Sequence, residues 1–208
     1  MELQKFESVY DFNVIVFDLD NTLYNENEFL FSAYKTISKY LAEKNSTDPR
    51  IYETFLIETF KKDGRLFLFN KLLDEFHLNK IVSIDEILHI MHHHQVPLKF
   101  NPKAFMLLKS LVKKNKSIFI LTNGSPIQQK NKVIGLKITE KLPQINILYA
   151  NEYKPKPSPF CIHKIIDDYK FKNSEILLIG DSEVDKQTAS NSGIAFLNIL
   201  KFTENGIK

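Results

Sequence analysis

Residues 14–22 read VIVFDLDNT, four apolar residues followed directly by two aspartates that are separated by a single leucine. A short apolar run without polar alternation is typical of a strand buried on both faces, as in parallel sheets. Stretches with helical periodicity, such as Pro102–Lys114 and Pro159–Tyr169, separate the later runs. Those runs lie at Ile118–Leu121, Ile147–Ala150, Ile176–Ile179 and Ala195–Leu197. The alternation predicts an α/β fold with a doubly wound, three-layer, Rossmann-like parallel sheet.

The segment between the first and second runs breaks this alternation. It contains no strand-like run and shows four amphipathic helical patterns instead, the first with Phe29, Ala33 and Ile37 on one face. Pro97 then marks the return to alternating strands and helices. We therefore predict an α-helical cap domain, residues 25–99, inserted into a core formed by residues 1–24 and 100–208.

Composition excludes several classes of protein. The 208 residues include 28 Lys and Arg against 25 Asp and Glu, a formal net charge of +3, which argues against a dedicated nucleic-acid-binding arm. The 43% hydrophobic content excludes a disordered chain, and the single cysteine excludes an internal disulfide. No targeting signal is visible, and no apolar run approaches the ~20 residues that cross a bilayer. We expect a cytoplasmic protein with no nucleic-acid or membrane partner; nothing in the sequence indicates an oligomeric state.

Polar residues follow four of the predicted strands. They are DLDNT (18–22), TNG (122–124), KPKPSP (154–159) and GDSEVD (180–185). Taken singly, TNG is often a turn, KPKP an extended linker and GDS the start of a helix. Because the carboxyl ends of parallel strands meet at one edge of a sheet, however, the four segments are expected to converge. Their order and placement indicate an active site.

These four segments, in this order, resemble the motifs of the haloacid dehalogenase superfamily. The resemblance spans residues 18–185, nearly the whole predicted α/β part, and the helical insertion falls where that family carries a helical cap. One departure is Asn21, which stands where many relatives carry glycine and which we expect to be tolerated.

The resemblance implies a reaction through an aspartyl-phosphate. Asp18 is expected to be the nucleophile, which divides one difficult displacement into two easier ones. Asp20 is expected to protonate the leaving oxygen and then deprotonate the attacking water. Dehalogenases and phosphonate hydrolases of the superfamily lack an acid at this second position, so Asp20 favours a phosphate ester as substrate.

Carboxylates that face a phosphate dianion repel it, so cations are required. The resemblance implies Mg²⁺, held by the Asp18 carboxylate, the Asp20 main-chain carbonyl and Asp181, an all-oxygen set that suits this ion. Asp185 is expected to be a supporting carboxylate at the metal. Gly180 is expected to allow a close approach of the backbone.

The remaining expected contacts are to the phosphoryl group. The Thr122 hydroxyl and the Asn123 backbone N–H would hold its oxygens. A lysine would neutralise its charge, and the family pattern KPxPxxF aligns best with Lys154 to Phe160, which leaves Lys156 in solvent. Thr22 and Ser182 would either touch the site or bond to their own turn or helix start, and the sequence does not favour one over the other.

We therefore predict a Mg²⁺-dependent phosphatase that hydrolyses a small phosphorylated metabolite, a phosphate monoester. A phosphomutase similar to β-phosphoglucomutase is the alternative, because it uses the same four motifs and keeps its aspartyl-phosphate from water. A non-catalytic scaffold is a third possibility, but such a chain is expected to lose charged residues at catalytic positions. Asp18, Asp20, Lys154, Asp181 and Asp185 are all present here.

Overall fold

The structure, a computed structural model, describes residues 9–200. Its centre is a parallel sheet with the strand order β3-β2-β1-β4-β5. The strands are β1 (Val14–Phe17), β2 (Ser117–Thr122), β3 (Asn146–Tyr149), β4 (Ile176–Gly180) and β5 (Ala195–Asn198). Helices flank the sheet, so the prediction of a doubly wound α/β fold is confirmed. The first strand lies at the centre and pairs with β2 on one side and β4 on the other.

The apolar runs form strands because both of their faces are covered. Val14 and Val16 pack with Phe119 and Leu178 into one buried cluster, which helices on that side complete with Ile162, Ile165 and Ala189. The alternate residues of the same strands, such as Ile15 and Phe17, point to the opposite face and are buried as well. Polar alternation is absent from these strands because neither face meets water.

The chain divides into two compact units. Among the described residues, one unit, the sheet unit, comprises residues 9–26 and 97–200, and the other, the helical unit, comprises Asn27–Val96. The boundaries expected from the sequence, 25–99, differ from this division by a few residues at each end. The helices here are α1 (Glu26–Asn45), α2 (Pro49–Asp63), α3 (Leu68–Glu75) and α4 (Ile84–His93).

The helical unit has an apolar core of its own. Tyr34 lies edge-on to the rings of Phe60 and Phe69, with centroid separations of 6.0 and 6.3 Å. Aromatic pairs at this distance and angle stabilise a core beyond the burial of their surface. Ser83 begins α4 with a capping box, in which its hydroxyl accepts from the Glu86 N–H and the Glu86 carboxylate accepts from the Ser83 N–H.

The later helices belong to the sheet unit. They are α5 (Pro102–Lys113), α6 (Pro126–Leu136), α7 (Ile138–Lys141), α8 (Phe160–Tyr169) and α9 (Glu183–Ser192). Helices α6 and α9 each follow the carboxyl end of a strand, and their first turns therefore lie near that edge of the sheet. Among residues 9–200, no helix combines the length and hydrophobicity needed to traverse a lipid bilayer.

The interior position of β4, between β1 and β5, gives a stability prediction. Leu178→Ala should lower the free energy of unfolding of the sheet unit by about 2–5 kcal/mol, because it removes buried methyl groups and leaves a cavity. Met106→Ala, at an exposed position on α5, is the matched control and should change it by no more than about 0.5 kcal/mol. Urea denaturation measures both, and equal losses in the two variants would contradict this account of the core.

Candidate active site

Three neighbouring strands bring three of the four predicted motifs together. Strand β1 ends at Phe17 and is followed by Asp18, whose backbone N–H donates to the Ile179 carbonyl of β4 at 2.9 Å. Thr122 is the last residue of β2, and Asp181 follows the last residue of β4. Because these strands are parallel and adjacent, their carboxyl ends lie side by side and collect these side chains.

Asp18, Asp181 and Asp185 form a compact carboxylate cluster. Each offers one oxygen, and the three oxygens lie within 4.8 Å of one another. Asp185 reaches the cluster from the first turn of α9, where its carboxylate accepts from the Ser182 hydroxyl at 2.5 Å and from the Ser182 N–H at 3.2 Å. A Cβ atom on Gly180 would lie 2.5 Å from the Asp185 carboxyl carbon, so glycine is required here for Asp185 to approach.

Lys156, rather than Lys154, contacts this cluster. Its Nζ lies 2.5 Å from Asp18 Oδ1 and 2.6 Å from Asp185 Oδ1, and its side chain is only 4% exposed. The Nζ of Lys154 lies instead 5.5 Å from the centre of the Phe160 ring. The sequence-based register, which placed Lys154 in the site and Lys156 in solvent, is therefore wrong.

Asn123 provides the physical reason for this register. Its side-chain Oδ1 accepts from the Lys156 N–H at 2.8 Å, and its Nδ2 donates to the Lys156 carbonyl at 2.9 Å. This pair of bonds fixes the backbone of residue 156 at the carboxyl end of β2. The spacing to Phe160 does not decide which lysine faces Asp18, because the backbone is held at Lys156 itself. The peptide bond between Lys156 and Pro157 is cis.

Burial and charge set the protonation behaviour of the cluster. Burial is the largest influence on Asp18 and raises its pKa to about 7, while Lys156 opposes that increase. Burial and the neighbouring Asp185 raise the pKa of Asp181 as well. Burial by itself would lower the pKa of Lys156, but Asp18 and Asp185 outweigh it and raise that pKa. Lys156 is therefore a cation, and a further cation would stabilise the ionised carboxylates.

Asp20 belongs to a second set of contacts. Lys132 Nζ lies 2.8 and 2.7 Å from the two Asp20 oxygens, the Tyr24 hydroxyl donates to Oδ1 at 2.6 Å, and Gln129 Nε2 donates to Oδ2 at 3.4 Å. Lys132 Nζ also lies 3.3 Å from the Glu26 carboxylate. Asp18 and Asp20 are thus paired with different lysines.

The sequence-based prediction did not include Gln129, Lys132 or Tyr24. A signal for the first two exists in the spacing of α6, because Gln129, Lys132, Val133 and Leu136 occupy positions i, i+3, i+4 and i+7 and are all buried. Polar residues on the buried face of a helix need partners. The buried polar face of α6 therefore indicates a polar site. Because α6 follows the TNG segment, that site lies at the carboxyl ends of the strands.

The remaining predicted residues are distributed as follows. The Thr122 hydroxyl is buried and donates to Gln129 Oε1 at 3.3 Å. Of the two residues left open by the sequence, Thr22 donates to Asp18 Oδ2 at 3.4 Å, and Ser182 is both the N-cap of α9 and a donor to Asp185, so each touches the site. Asn21 adopts a left-handed conformation, with φ of 56°, and its side chain accepts from the Glu26 N–H. Asparagine tolerates that conformation better than most residues, which explains its place in a glycine position.

The donor set of the cluster fits a hard divalent cation. It consists of carboxylate oxygens, the ligands that Mg²⁺ prefers. Asp18, Asp20, Glu26, Asp181 and Asp185 bring five carboxylates to the two networks, whereas Lys132 and Lys156 bring two ammonium groups, an excess of three negative charges if all are ionised. A divalent cation among Asp18, Asp181 and Asp185 would reduce that excess.

Comparison with known proteins finds relatives in sequence and in fold. The chain is 25% identical over 186 residues to the pyrophosphatase PpaX of Bacillus cereus, covering 87% of this chain and 80% of that protein. Its fold matches a predicted phosphoglycolate phosphatase from Haemophilus somnus, with a TM-score of 0.59, 19% identity, and coverage of 92% and 86% of the two chains. It also matches the hydrolase YfnB of Bacillus subtilis, solved bound to magnesium, with a TM-score of 0.59, 17% identity, and coverage of 89% and 85%.

The family comparison covers almost the whole described chain. The family model for haloacid dehalogenase-like hydrolases matches residues 15–199, from the first strand to the end of the sheet. The match includes every strand residue except Val14 and all of the carboxylates and lysines described above. With the sheet order and the carboxylate cluster, it shows that this chain belongs to the haloacid dehalogenase-like hydrolases.

Proposed function

We propose that the protein is a Mg²⁺-dependent phosphatase that hydrolyses a small phosphorylated compound through an aspartyl-phosphate. The observation that carries this proposal is the position of Asp18. Its carboxylate follows the central strand, contacts Lys156, and lies within reach of Asp181 and Asp185. A second carboxylate, Asp20, stands two residues away with a separate lysine.

The proposed reaction has two steps. In the first, an Asp18 oxygen forms a bond to phosphorus while the bond from phosphorus to the leaving oxygen breaks, and Asp20 gives that oxygen a proton. In the second, water attacks the same phosphorus, Asp20 accepts a proton from the water, and the bond to Asp18 breaks. The products are inorganic phosphate and the leaving group, which is an alcohol from an ester and a second phosphate from pyrophosphate, and Asp18 and Asp20 return to their starting states.

Other residues are proposed to position the phosphoryl group and offset its charge. Lys156 neutralises Asp18 and the transferring phosphoryl oxygens, a role that we now assign to it instead of Lys154. The Thr122 hydroxyl and the Asn123 backbone N–H hold phosphate oxygens. Asn123 has a further part, because its side chain fixes the backbone of Lys156.

Asp18 and Asp181 are proposed to hold Mg²⁺, with the Asp20 main-chain carbonyl as a third ligand. Asp185 is proposed to support the metal site, because both of its oxygens already accept hydrogen bonds, from Lys156 and Ser182. When bound, the ion supplies positive charge that offsets the repulsion between the carboxylates and a phosphate dianion. The magnesium bound in the YfnB structure supports this choice of metal.

The substrate is proposed to be a small molecule with a terminal phosphoryl group. The relatives suggest two classes, since one is named a pyrophosphatase and another a predicted phosphoglycolate phosphatase. The four motifs recognise the phosphoryl group but not the rest of the substrate. The helical unit, Asn27–Val96, is proposed to act as the cap that supplies those further contacts.

A substrate screen tests the proposal directly. The purified protein with Mg²⁺ is assayed for phosphate release from inorganic pyrophosphate, phosphoglycolate, sugar phosphates and nucleoside monophosphates. Steady release from at least one of them supports hydrolysis. Isomerisation of a sugar phosphate without phosphate release would indicate a mutase instead, and no reaction with any of them would reject the enzymatic proposal for these classes.

Substitution of the two aspartates after β1 gives the first functional prediction. Asp18→Asn should lower turnover by about a thousandfold or more, because an amide oxygen is a poor nucleophile and a weaker metal ligand. Asp20→Asn should strongly impair hydrolysis of esters whose leaving oxygen needs a proton. Initial rates of phosphate release measure both. Asp167→Asn, at an exposed position on α8, is the control. Near-parental activity of Asp18→Asn in a contaminant-free preparation would reject the assigned nucleophile.

Metal dependence gives the second functional prediction. EDTA should abolish activity and Mg²⁺ should restore it, while Ca²⁺, which is larger and coordinates less rigidly, should substitute poorly. Asp181→Ala should raise the Mg²⁺ concentration needed for half-maximal activity, because it removes one proposed ligand oxygen. Titration of activity with Mg²⁺ makes the comparison. Undiminished activity in excess EDTA would overturn the metal assignment.

The choice between Lys154 and Lys156 as the lysine of the site gives the third functional prediction. Lys156→Ala should lower kcat/KM by about a hundredfold or more, because it removes a preorganised charge that faces the nucleophile. Lys154→Ala should behave almost as the parent, since its ammonium lies against an aromatic ring and away from the cluster. Both variants are compared with the parent in steady-state kinetics after circular dichroism has shown that they are folded. A large defect at residue 154 with a mild one at 156 would restore the sequence-based register.

A further inference from the structure

Lys132 and its partner Asp20 differ in their exposure to solvent. Lys132 is almost completely buried, with 1% of its side chain exposed, whereas the Asp20 side chain keeps 19%. The lysine contacts both carboxylate oxygens, at 2.8 and 2.7 Å. It therefore supports Asp20 from the interior and leaves part of the carboxylate accessible from outside.

Lys132 is itself held in place. Its Nζ lies 3.3 Å from the Glu26 carboxylate, which is also buried. A lysine side chain has four rotatable bonds, and burial between two carboxylates restricts them. The Tyr24 hydroxyl and the Gln129 amide add donors to the two Asp20 oxygens. The orientation of the Asp20 carboxylate is thus held by Lys132 and Gln129 from α6, a regular helix, and by Tyr24 from the turn that carries Asp20.

We propose that Lys132 is a positioning residue for proton transfer: it holds the Asp20 carboxylate in the orientation in which that group reaches the leaving oxygen. This inference deepens the proposed function and rests on it, because it requires Asp20 to be the group that donates the proton. Proton transfer depends steeply on geometry, and small displacements of a catalytic group cost large factors in rate. Lys132 acts through Asp20 and need not touch the substrate.

A purely structural role for Lys132 makes a different prediction. As a counter-charge for two buried carboxylates, it would affect folding and would lower the rates of all substrates by a common factor. A positioning role affects most strongly those substrates whose leaving oxygen needs a proton. The ratio of kcat/KM values for two such esters therefore separates the roles, because a common factor cancels in the ratio.

The experiment compares benzyl phosphate, whose alcohol leaves only with a proton, with 4-nitrophenyl phosphate, whose phenolate leaves without one. The parameter kcat/KM reports the steps up to the departure of the leaving group, so hydrolysis of the aspartyl-phosphate does not enter it. In Lys132→Met, the ratio of kcat/KM for benzyl phosphate to that for 4-nitrophenyl phosphate should fall by about tenfold to a hundredfold. Lys130→Met, on the same helix with a half-exposed ammonium paired with Glu152, is the control and should keep the parental ratio.

Asp20→Asn separates failure of this inference from failure of the proposed function. If Asp20→Asn lowers the ratio and Lys132→Met leaves it unchanged, the inference is overturned and the role of Asp20 stands. If Asp20→Asn also leaves the ratio unchanged, the proposed role of Asp20 fails and the inference fails with it. If Lys132→Met does not fold, Glu26→Gln takes its place, because it weakens the hold on Lys132 but leaves the lysine present. A smaller fall in the ratio supports the inference there, and an unchanged ratio rejects it.

Discussion

The contact of one buried lysine with two buried carboxylates is the interaction on which the site depends. Lys156 lies between Asp18 and Asp185 where the central strand ends, and water is largely excluded from all three side chains. Unpaired charges in such a place would cost several kcal/mol each. Neighbouring residues hold the lysine and the carboxylates in this contact. Asn123 fixes the lysine backbone, and the absence of a side chain at Gly180 lets Asp185 approach.

A second buried lysine separates the two aspartates of the first motif. Asp18 and Asp20 are two residues apart in the chain, yet Asp18 contacts Lys156 from the loop after β3, whereas Asp20 contacts Lys132 from α6. Different surroundings are how proteins assign different tasks to chemically identical groups. In the proposed reaction one carboxylate attacks phosphorus and the other moves a proton, and the separate partners match that division.

The sequence predicted more of the carboxylates than of the lysines. Asp18 and Asp181 directly follow strands, and Asp185 is four residues beyond Asp181, so local structure places all three near one edge. Lys154 and Lys156 lie in an irregular segment where two alignments of the same pattern compete. Lys132 lies in the middle of a helix, outside the four motifs, and its helical spacing with Val133 and Leu136 was the signal that could have identified it.

By itself the sequence determined the parallel α/β fold, the helical insertion after the first strand and the carboxylates at the strand ends. These features follow from the local periodicity of apolar residues and from the polar residues that directly follow strands. Both are patterns among neighbouring residues in the chain. Only the tertiary structure decided the strand order, the pairing of Lys156 rather than Lys154 with Asp18, and the contact of Lys132 with Asp20 and Glu26. Each of these joins distant parts of the chain, and the pairing of a buried charge depends on which groups the fold brings within hydrogen-bonding distance, not on spacing along the sequence.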